Sequence, residues 1–398
     1  MRHSLALTFP TDEARSTRRV LGRFLKKQAR DALALRPVTV VPELRPIVSR
    51  VQGLIRGFGE GNPAPLYQVL RRTHVHGLLT CAWRALADED PDAAAERTAT
   101  FFFQVLVELS LDGALPEPVT WPGPPPGGVV SSGTHRVHVA GLDTVAQVEF
   151  QPASIRLGQE LELPGAAEPS PLFLPVAPGM VLSLVDNNPI SDFEAHPDKE
   201  GNQLDLGGAP ADTWVTVLQE SLALIGAHMP ELREEMDLFL QRFIPVGTDE
   251  HSHLSASYRE FIGTMYLTLH PQSMTMTEAL IHEYQHSKIN LLFHLDPVMD
   301  NAYWPLYPSP VRPDPRPLHG VLLAAHAFVP VAELYKRLSD AGAPQAQRGG
   351  FRERFGQILA KNDEAMQVLE AHAQPSASGR QVIDELATMH EGHLALGV

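Results

Sequence analysis

The sequence predicts an α+β protein that is predominantly helical, with a metal-site helix packed beside a short sheet and a helical unit in front of it. Three observations carry this. Apolar residues recur at three- and four-residue spacing near the start, β-branched residues alternate in the middle, and a long apolar helix containing "IHEYQHSK" follows a strand-like segment. Residues 1–115 form the N-terminal helical unit, resting on "LYQVLRRTHVHGLLTCAWRAL" and "AAAERTATFFFQVLVELSL". Residues 116–186 comprise a proline-rich linker and a small β-rich section. There "ALPEPVTWPGPPPGG" cannot continue a helix, whereas "THRVHVAGLDTVAQVEF" and "LFLPVAPGMVLSLV" read as short strands. Residues 187–398 are expected to form a third, catalytic metal-binding region. Its opening reads as two helices broken at Pro230, and "YREFIGTMYLTLHP" reads as a strand leading directly into the metal helix. Further helices are expected over 318–340, 351–372 and 376–391.

Composition narrows the function. The 32 Lys and Arg against 47 Asp and Glu give a net charge of −15, which argues against nucleic acid, since nothing would neutralise phosphates, and against an anionic membrane surface. The single cysteine, Cys81, excludes an internal disulfide framework and fits a reducing compartment. The first residues lack the apolar run of a signal peptide, and no segment reads as a membrane span, so a cytoplasmic location is expected.

The chemistry sits in His282-Glu283-Tyr284-Gln285-His286, an H-E-x-x-H pattern. Residues four apart on a helix are neighbours, so both imidazoles leave one face and converge on one ion. Thr275 and Glu278 have the spacing of a capping box and mark the helix start. A zinc metallopeptidase using Glu283 as general base is one reading, and a pair of histidines on a solvated helix is the bland one. The metzincin extension fails, because Ile289 and Leu292 stand where Gly and His are needed. No glutamate occurs between Glu283 and Glu333, which removes the usual downstream ligand, while Asp300 and Tyr303 leave an aspartate-type site conceivable.

The run from "SYREFIGTMYLTLHP" through "LIHEYQHSKINLLFHLDPV" to "RPDPRPLHGVLLAAHAFVPVAELY" resembles the H-E-x-x-H family of peptide-modification proteins, the 2-oxoglutarate-dependent peptide β-hydroxylases. The resemblance covers residues 180 to 390, including "SASGRQVIDEL" near the end. It implies Fe(II), with Zn(II) as the alternative metal, and positions left for 2-oxoglutarate and O2. The implied reaction hydroxylates an Asp, Asn or His side chain of a ribosomally synthesised precursor peptide. Glu283 then accepts a hydrogen bond from a ligand or from metal-bound water. The distal carboxylate of 2-oxoglutarate needs a cation, for which Arg316 and Arg312 are the candidates. For the third metal ligand the favoured residue is His326 on an apolar helix, with Glu333 and His319 as competitors. A core histidine bonded to a carbonyl is the plain alternative for His326. His294 lies too far round the helix from His282. A non-catalytic peptide-binding scaffold is the remaining alternative.

The other histidine groups, "THVH" at 73–76, "EHSH" at 250–253 and "MHEGH" at 389–393, read as packing or surface histidines, the last on a frayed helix end. The polar segment "VDNNPISDFEAHPDKEGN" is either a peptide contact or a plain surface loop.

Overall fold

The structure, a computed structural model, describes residues 6–10, 14–159, 161–164, 170–190, 202–248, 253–309 and 314–395. Five helices open the chain: α1 (Arg15–Ala34), α2 (Arg45–Glu60), α3 (Ala64–Leu70), α4 (Thr73–Ala87) and α5 (Pro91–Leu111). α5 is the hub of this unit. Asp90 caps it by accepting from the Ala93 N–H, Pro91 occupies its first turn, and every residue from Phe101 to Leu111 is buried. A helix apolar on all sides must be surrounded, and α5 packs between α4 and the first sheet.

The strands follow in two groups. β1 (Val119–Pro122) pairs with β4 (Gln147–Gln151), and β5 (Ser154–Leu157) and β6 (Leu161–Pro164) complete an antiparallel four-stranded sheet in the order β1-β4-β5-β6. β2 (Val130–Ser132) and β3 (Val137–Val139) form a separate ribbon. The proline-rich stretch is therefore not simply a linker. Val119 and Trp121 point into the core while Thr120 and Pro122 face outward, and β1 lies at the sheet edge, where a proline is tolerated.

The second sheet positions the candidate site. Its strands are β7 (Phe173–Ala177), β8 (Met180–Ser183), β9 (Arg242–Thr248), β10 (Ser255–Ala256) and β11 (Thr264–Leu269), in the order β10-β11-β9-β8-β7. β9 runs parallel to β8 and β11, and two helices, α6 (Ala211–His228) and α7 (Pro230–Phe239), occupy the crossover, with Pro230 dividing them as expected. β11 begins after Gly263, which has φ +95° and would bring a Cβ within 2.5 Å of the Phe239 carbonyl, so only glycine fits there. Three residues beyond β11 the metal helix α8 (Ser273–Phe293) starts. β12 (Leu306–Tyr307) and β13 (Arg316–Pro317) then form a two-stranded ribbon that leads into α9 (Leu318–Asp340), followed by α10 (Phe351–His372) and α11 (Ala377–Leu394).

Three expectations need correction. Thr275 and Glu278 do not form a capping box, because α8 starts earlier, at Ser273, and has no side-chain cap. α11 is not frayed at "MHEGH": His390 and His393 are both buried, and His393 Nε2 lies 2.9 Å from Glu333. α9 is long and apolar enough to cross a membrane by length and composition, but 72% of its most apolar window is buried inside the fold. One buried apolar cluster runs from the N-terminal helices through both sheets to α11.

Candidate metal centre

Positions 278, 282 and 286 form a stripe along α8, each one turn and about 40° on from the last. Glu278, His282 and His286 face a cavity of about 480 Å³, a size typical of small-molecule sites. α9 contributes an apolar wall through Gly320, Leu323, Ala324 and Phe328, all on one helical face. α10 contributes Arg354 and Lys361, and Ser255 of β10 closes another side together with His253.

The His282 and His286 rings lie 4.4 Å apart, centre to centre, and the His282 ring packs 4.8 Å from Phe328. His282 Nε2 is 4.0 Å from Glu283 Oε1. Ligand atoms of His282, Glu283 and His286 all fall within 4.8 Å of one another, the one such group among the described residues. Burial pushes the His282 pKa well down, reinforced by His286 and His253. Burial likewise lowers that of His286, against the opposing pull of Glu283. Both imidazoles are thus held neutral, the form that binds metals.

Glu283 is 1% exposed. The Ser255 hydroxyl donates to its Oε1 at 2.7 Å, whereas Oε2 is buried without a hydrogen-bond partner, as is His286 Nδ1. A buried carboxylate oxygen of this kind is costly unless a proton donor or a cation satisfies it. Two neutral imidazoles beside such an oxygen fit a divalent ion of the zinc or iron kind. Consecutive helical residues diverge by about 100°, and Ser255 engages Glu283 Oε1, so Oε2 is the carboxylate oxygen left to accept a hydrogen bond or to join the two imidazoles.

The expected third ligand is not at this site. His326 is fully buried on the opposite face of α9 from Ala324, with Nε2 3.4 Å from the Leu7 carbonyl. Burial and Lys288 take its pKa down to about 3, against the Leu7 and Gln285 carbonyls. It is the core histidine of the plain alternative. Glu333 shares that face and is engaged elsewhere, accepting from Arg337 Nε at 2.7 Å and bonded to His393. His319 sits between Phe293 and Tyr303, with ring centres 4.7 and 5.3 Å away, and does not line the cavity. Nor does His294, whose Nε2 lies 2.9 Å from the Arg259 carbonyl. Tyr303 is 59% exposed and Asp300 is absent from the cavity wall, which removes the aspartate-type arrangement.

Arg316 lines the cavity from β13 and pairs with Asp314, Nε to Oδ2 3.0 Å. Arg312 lies outside the described residues, as does most of the polar segment after Val185. The local sequence reads His253 as a packing or surface histidine, and only the fold brings it to the cavity. Glu278, Arg354 and Lys361 were also missed. Their signals were regular spacings: four residues before His282 for Glu278, and two helical turns between Arg354 and Lys361. The "THVH" pair is packing: His76 meets Phe24 and His294 edge-on, with ring centres 5.0 and 5.1 Å apart, and His74 lies 3.5 Å from Glu108. No protein-family model matches the chain, and no curated protein matches it.

Proposed function

We propose that the protein is an Fe(II)- and 2-oxoglutarate-dependent dioxygenase that hydroxylates a side-chain β-carbon, on Asp, Asn or His, of a ribosomally made precursor peptide in the cytoplasm. The observation that carries this reading is the pairing of chemistries in one cavity: two neutral imidazoles beside a buried carboxylate oxygen, and three cationic side chains, Arg316, Arg354 and Lys361, on the remaining walls. A metallopeptidase cavity needs the first set; the second set is what an anionic cosubstrate requires in addition. The sequence resemblance points the same way.

Fe(II) and 2-oxoglutarate, when bound, supply activation of O2 and insertion of one oxygen atom, with release of succinate and CO2. The residues of the chain do the rest. His282 and His286 would hold the metal from one face of α8, the face that lines the cavity. Glu283, anchored by Ser255 through Oε1, would offer Oε2 as a hydrogen-bond acceptor beside the metal. Leu323, Ala324 and Phe328 keep one wall dry and seat the aliphatic part of a ligand. Arg316 contributes positive potential from β13.

The alternative is a zinc peptidase in which Glu283 acts as general base, favoured by that same oxygen beside the histidines. The two readings part on cosubstrate use. Loaded anaerobically with Fe(II), then given 2-oxoglutarate and O2, the protein is expected to release succinate in a His282- and His286-dependent manner. Metal binding without any succinate release, in the presence of a peptide that is cut, would establish the peptidase.

A further inference from the structure

The charge on α1 runs against that of the molecule. The chain has a net charge of −15, yet α1 holds seven Arg and Lys against one acidic residue, Asp31. Arg18 pairs with Glu234 at 2.8 Å and Lys27 with Asp31 at 2.6 Å. Arg19, Arg23, Lys26 and Arg30 are exposed, and among the described residues none of them has a carboxylate within ion-pair distance. At about 100° per residue these four fall within an arc of about 60° and span about 16 Å of helix. Leu21, Phe24 and Gln28 lie on the opposite side and are buried. Local helix physics disfavours such a stripe. Arg19 and Arg23, and again Lys26 and Arg30, are like charges four apart, which weaken a helix. The first turn has no acidic residue, although the positive end of the helix dipole favours one there, and no side chain caps it. A helix that breaks these rules on its exposed face points to a use for that face.

We infer that the exposed face of α1 docks an acidic segment of the substrate peptide, distant in the peptide's sequence from the residue that is modified. The inference rests on the peptide-substrate reading above and adds to it a contact outside the cavity. α1 packs on the back of α8: Thr17 donates to Glu235, the carboxylate that holds Lys288, and the Phe24 ring lies 5.4 Å from His294 at the end of α8. Lys288 is about 200° round α8 from His286, so a molecule on the α1 stripe leaves the cavity clear. The row of four cations is about as long as five extended residues at roughly 3.3 Å each. Carboxylates placed along it replace like-charge repulsion with charge-assisted contacts. Two helices, each about 10 Å thick, separate the stripe from the cavity, so at least about six extended residues must link the docked segment to the reacting side chain. A nucleic acid or an anionic membrane offers the same negative charge over a larger extent. Beyond the stripe such a polyanion meets a chain whose other residues are more acidic still than its net charge of −15, and a short peptide does not.

The test is binding, independent of turnover. Fluorescein-labelled octaglutamate is titrated with the full chain at low salt and followed by anisotropy, with octaglutamine as the neutral control. The wild type is expected to bind octaglutamate and not octaglutamine, and to bind it more weakly as salt rises. The combined Arg19→Gln, Arg23→Gln, Lys26→Gln, Arg30→Gln variant should weaken octaglutamate by roughly tenfold or more. Its circular dichroism should match the wild type, because all four side chains are exposed. Arg348→Gln with Arg352→Gln, which removes exposed arginines near the start of α10, should stay within about threefold of the wild type. An equal loss in the two variants, or no octaglutamate binding by the wild type, would overturn the docking face. Duplex DNA or phosphatidylserine vesicles bound more tightly than octaglutamate, and released by the α1 variant, would overturn the peptide assignment. Octaglutamate binding as expected, in a protein that releases no succinate from 2-oxoglutarate, would support the docking face and overturn only the hydroxylase reading, since the peptidase alternative also acts on a peptide.

Discussion

His282 and His286 have what an imidazole ligand requires, burial that keeps the ring neutral and an edge facing a cavity, whereas His326 has only the first. The three residues therefore separate cleanly by experiment. His282→Ala and His286→Ala should each lose tightly bound metal with the helical signal intact. Glu283→Gln should retain it and lower turnover, because the amide removes the buried carboxylate charge that would accept a hydrogen bond beside the metal. His326→Leu should keep full metal content, and elemental analysis of the four variants decides. A second prediction concerns His76, which is fully buried with neither ring nitrogen hydrogen-bonded. Burial and then His294 hold its pKa well below the ordinary value of about 6.5. The unfolded chain therefore takes up a proton below that pH and the folded chain does not, so the group subtracts stability progressively as pH falls. Its penalty is absent above the unfolded pKa. His76→Phe, which keeps the edge contact with Phe24, should narrow the stability gap between pH 7.5 and pH 5, measured by chemical denaturation at both values. An unchanged gap would assign the acid sensitivity to other groups. What was legible at this scale was the four-residue spacing. The exclusion of His326 was not, because a buried histidine pointing at a carbonyl and one pointing at a metal have the same apolar sequence around them.

At the scale of elements, α8 was legible as a helix that brings His282 and His286 together on one face, and was misread at its start. Glu278 has the spacing of a cap yet sits a full turn inside the helix, and its role is tertiary: it joins α8 to Tyr335 of α9 and Arg354 of α10. Local spacing cannot distinguish these uses. Glu278→Gln should destabilise the fold by about 1–2 kcal/mol, toward the lower part of the usual range because Arg354 is 38% exposed. Thermal denaturation checks this, and a neutral result would show that the three helices are held by apolar packing alone. The helix boundaries at 318–340 and 351–372 were readable because apolar periodicity and turn residues agree there. The strand β1 was not, because its prolines mask an edge strand that needs only alternate residues buried. The face of α9 that forms the cavity wall was likewise hidden: periodicity locates an apolar stripe, and on a helix buried nearly all round there is no single stripe to find.

For the molecule as a whole, the N-terminal segment is built into the back of the helix that carries the candidate metal site. Lys288, on the metal helix, donates to the Thr8 carbonyl at 3.0 Å and to Glu235 of α7 at 2.9 Å, and Glu235 also accepts from Tyr284 and Thr17. The Leu7 and Thr8 amides donate to Glu385 of α11 at 2.8 and 2.7 Å. Nothing in the local sequence announces this strap, since its partners are hundreds of residues apart. Lys288→Met leaves Glu235 as a buried charge without its cation and should cost about 3–5 kcal/mol. The Lys288→Met, Glu235→Gln double variant should cost less than that, a comparison made by denaturant unfolding. The opposite side of α8 faces the cavity, so one helix joins the strap to the chemistry. That chemistry is tested most directly by mass spectrometry of the precursor peptide after incubation with Fe(II)-loaded protein, 2-oxoglutarate and O2. The expected product is the intact peptide carrying one added oxygen atom, with succinate formed alongside. A cleaved peptide generated with Zn(II) and no 2-oxoglutarate would contradict it.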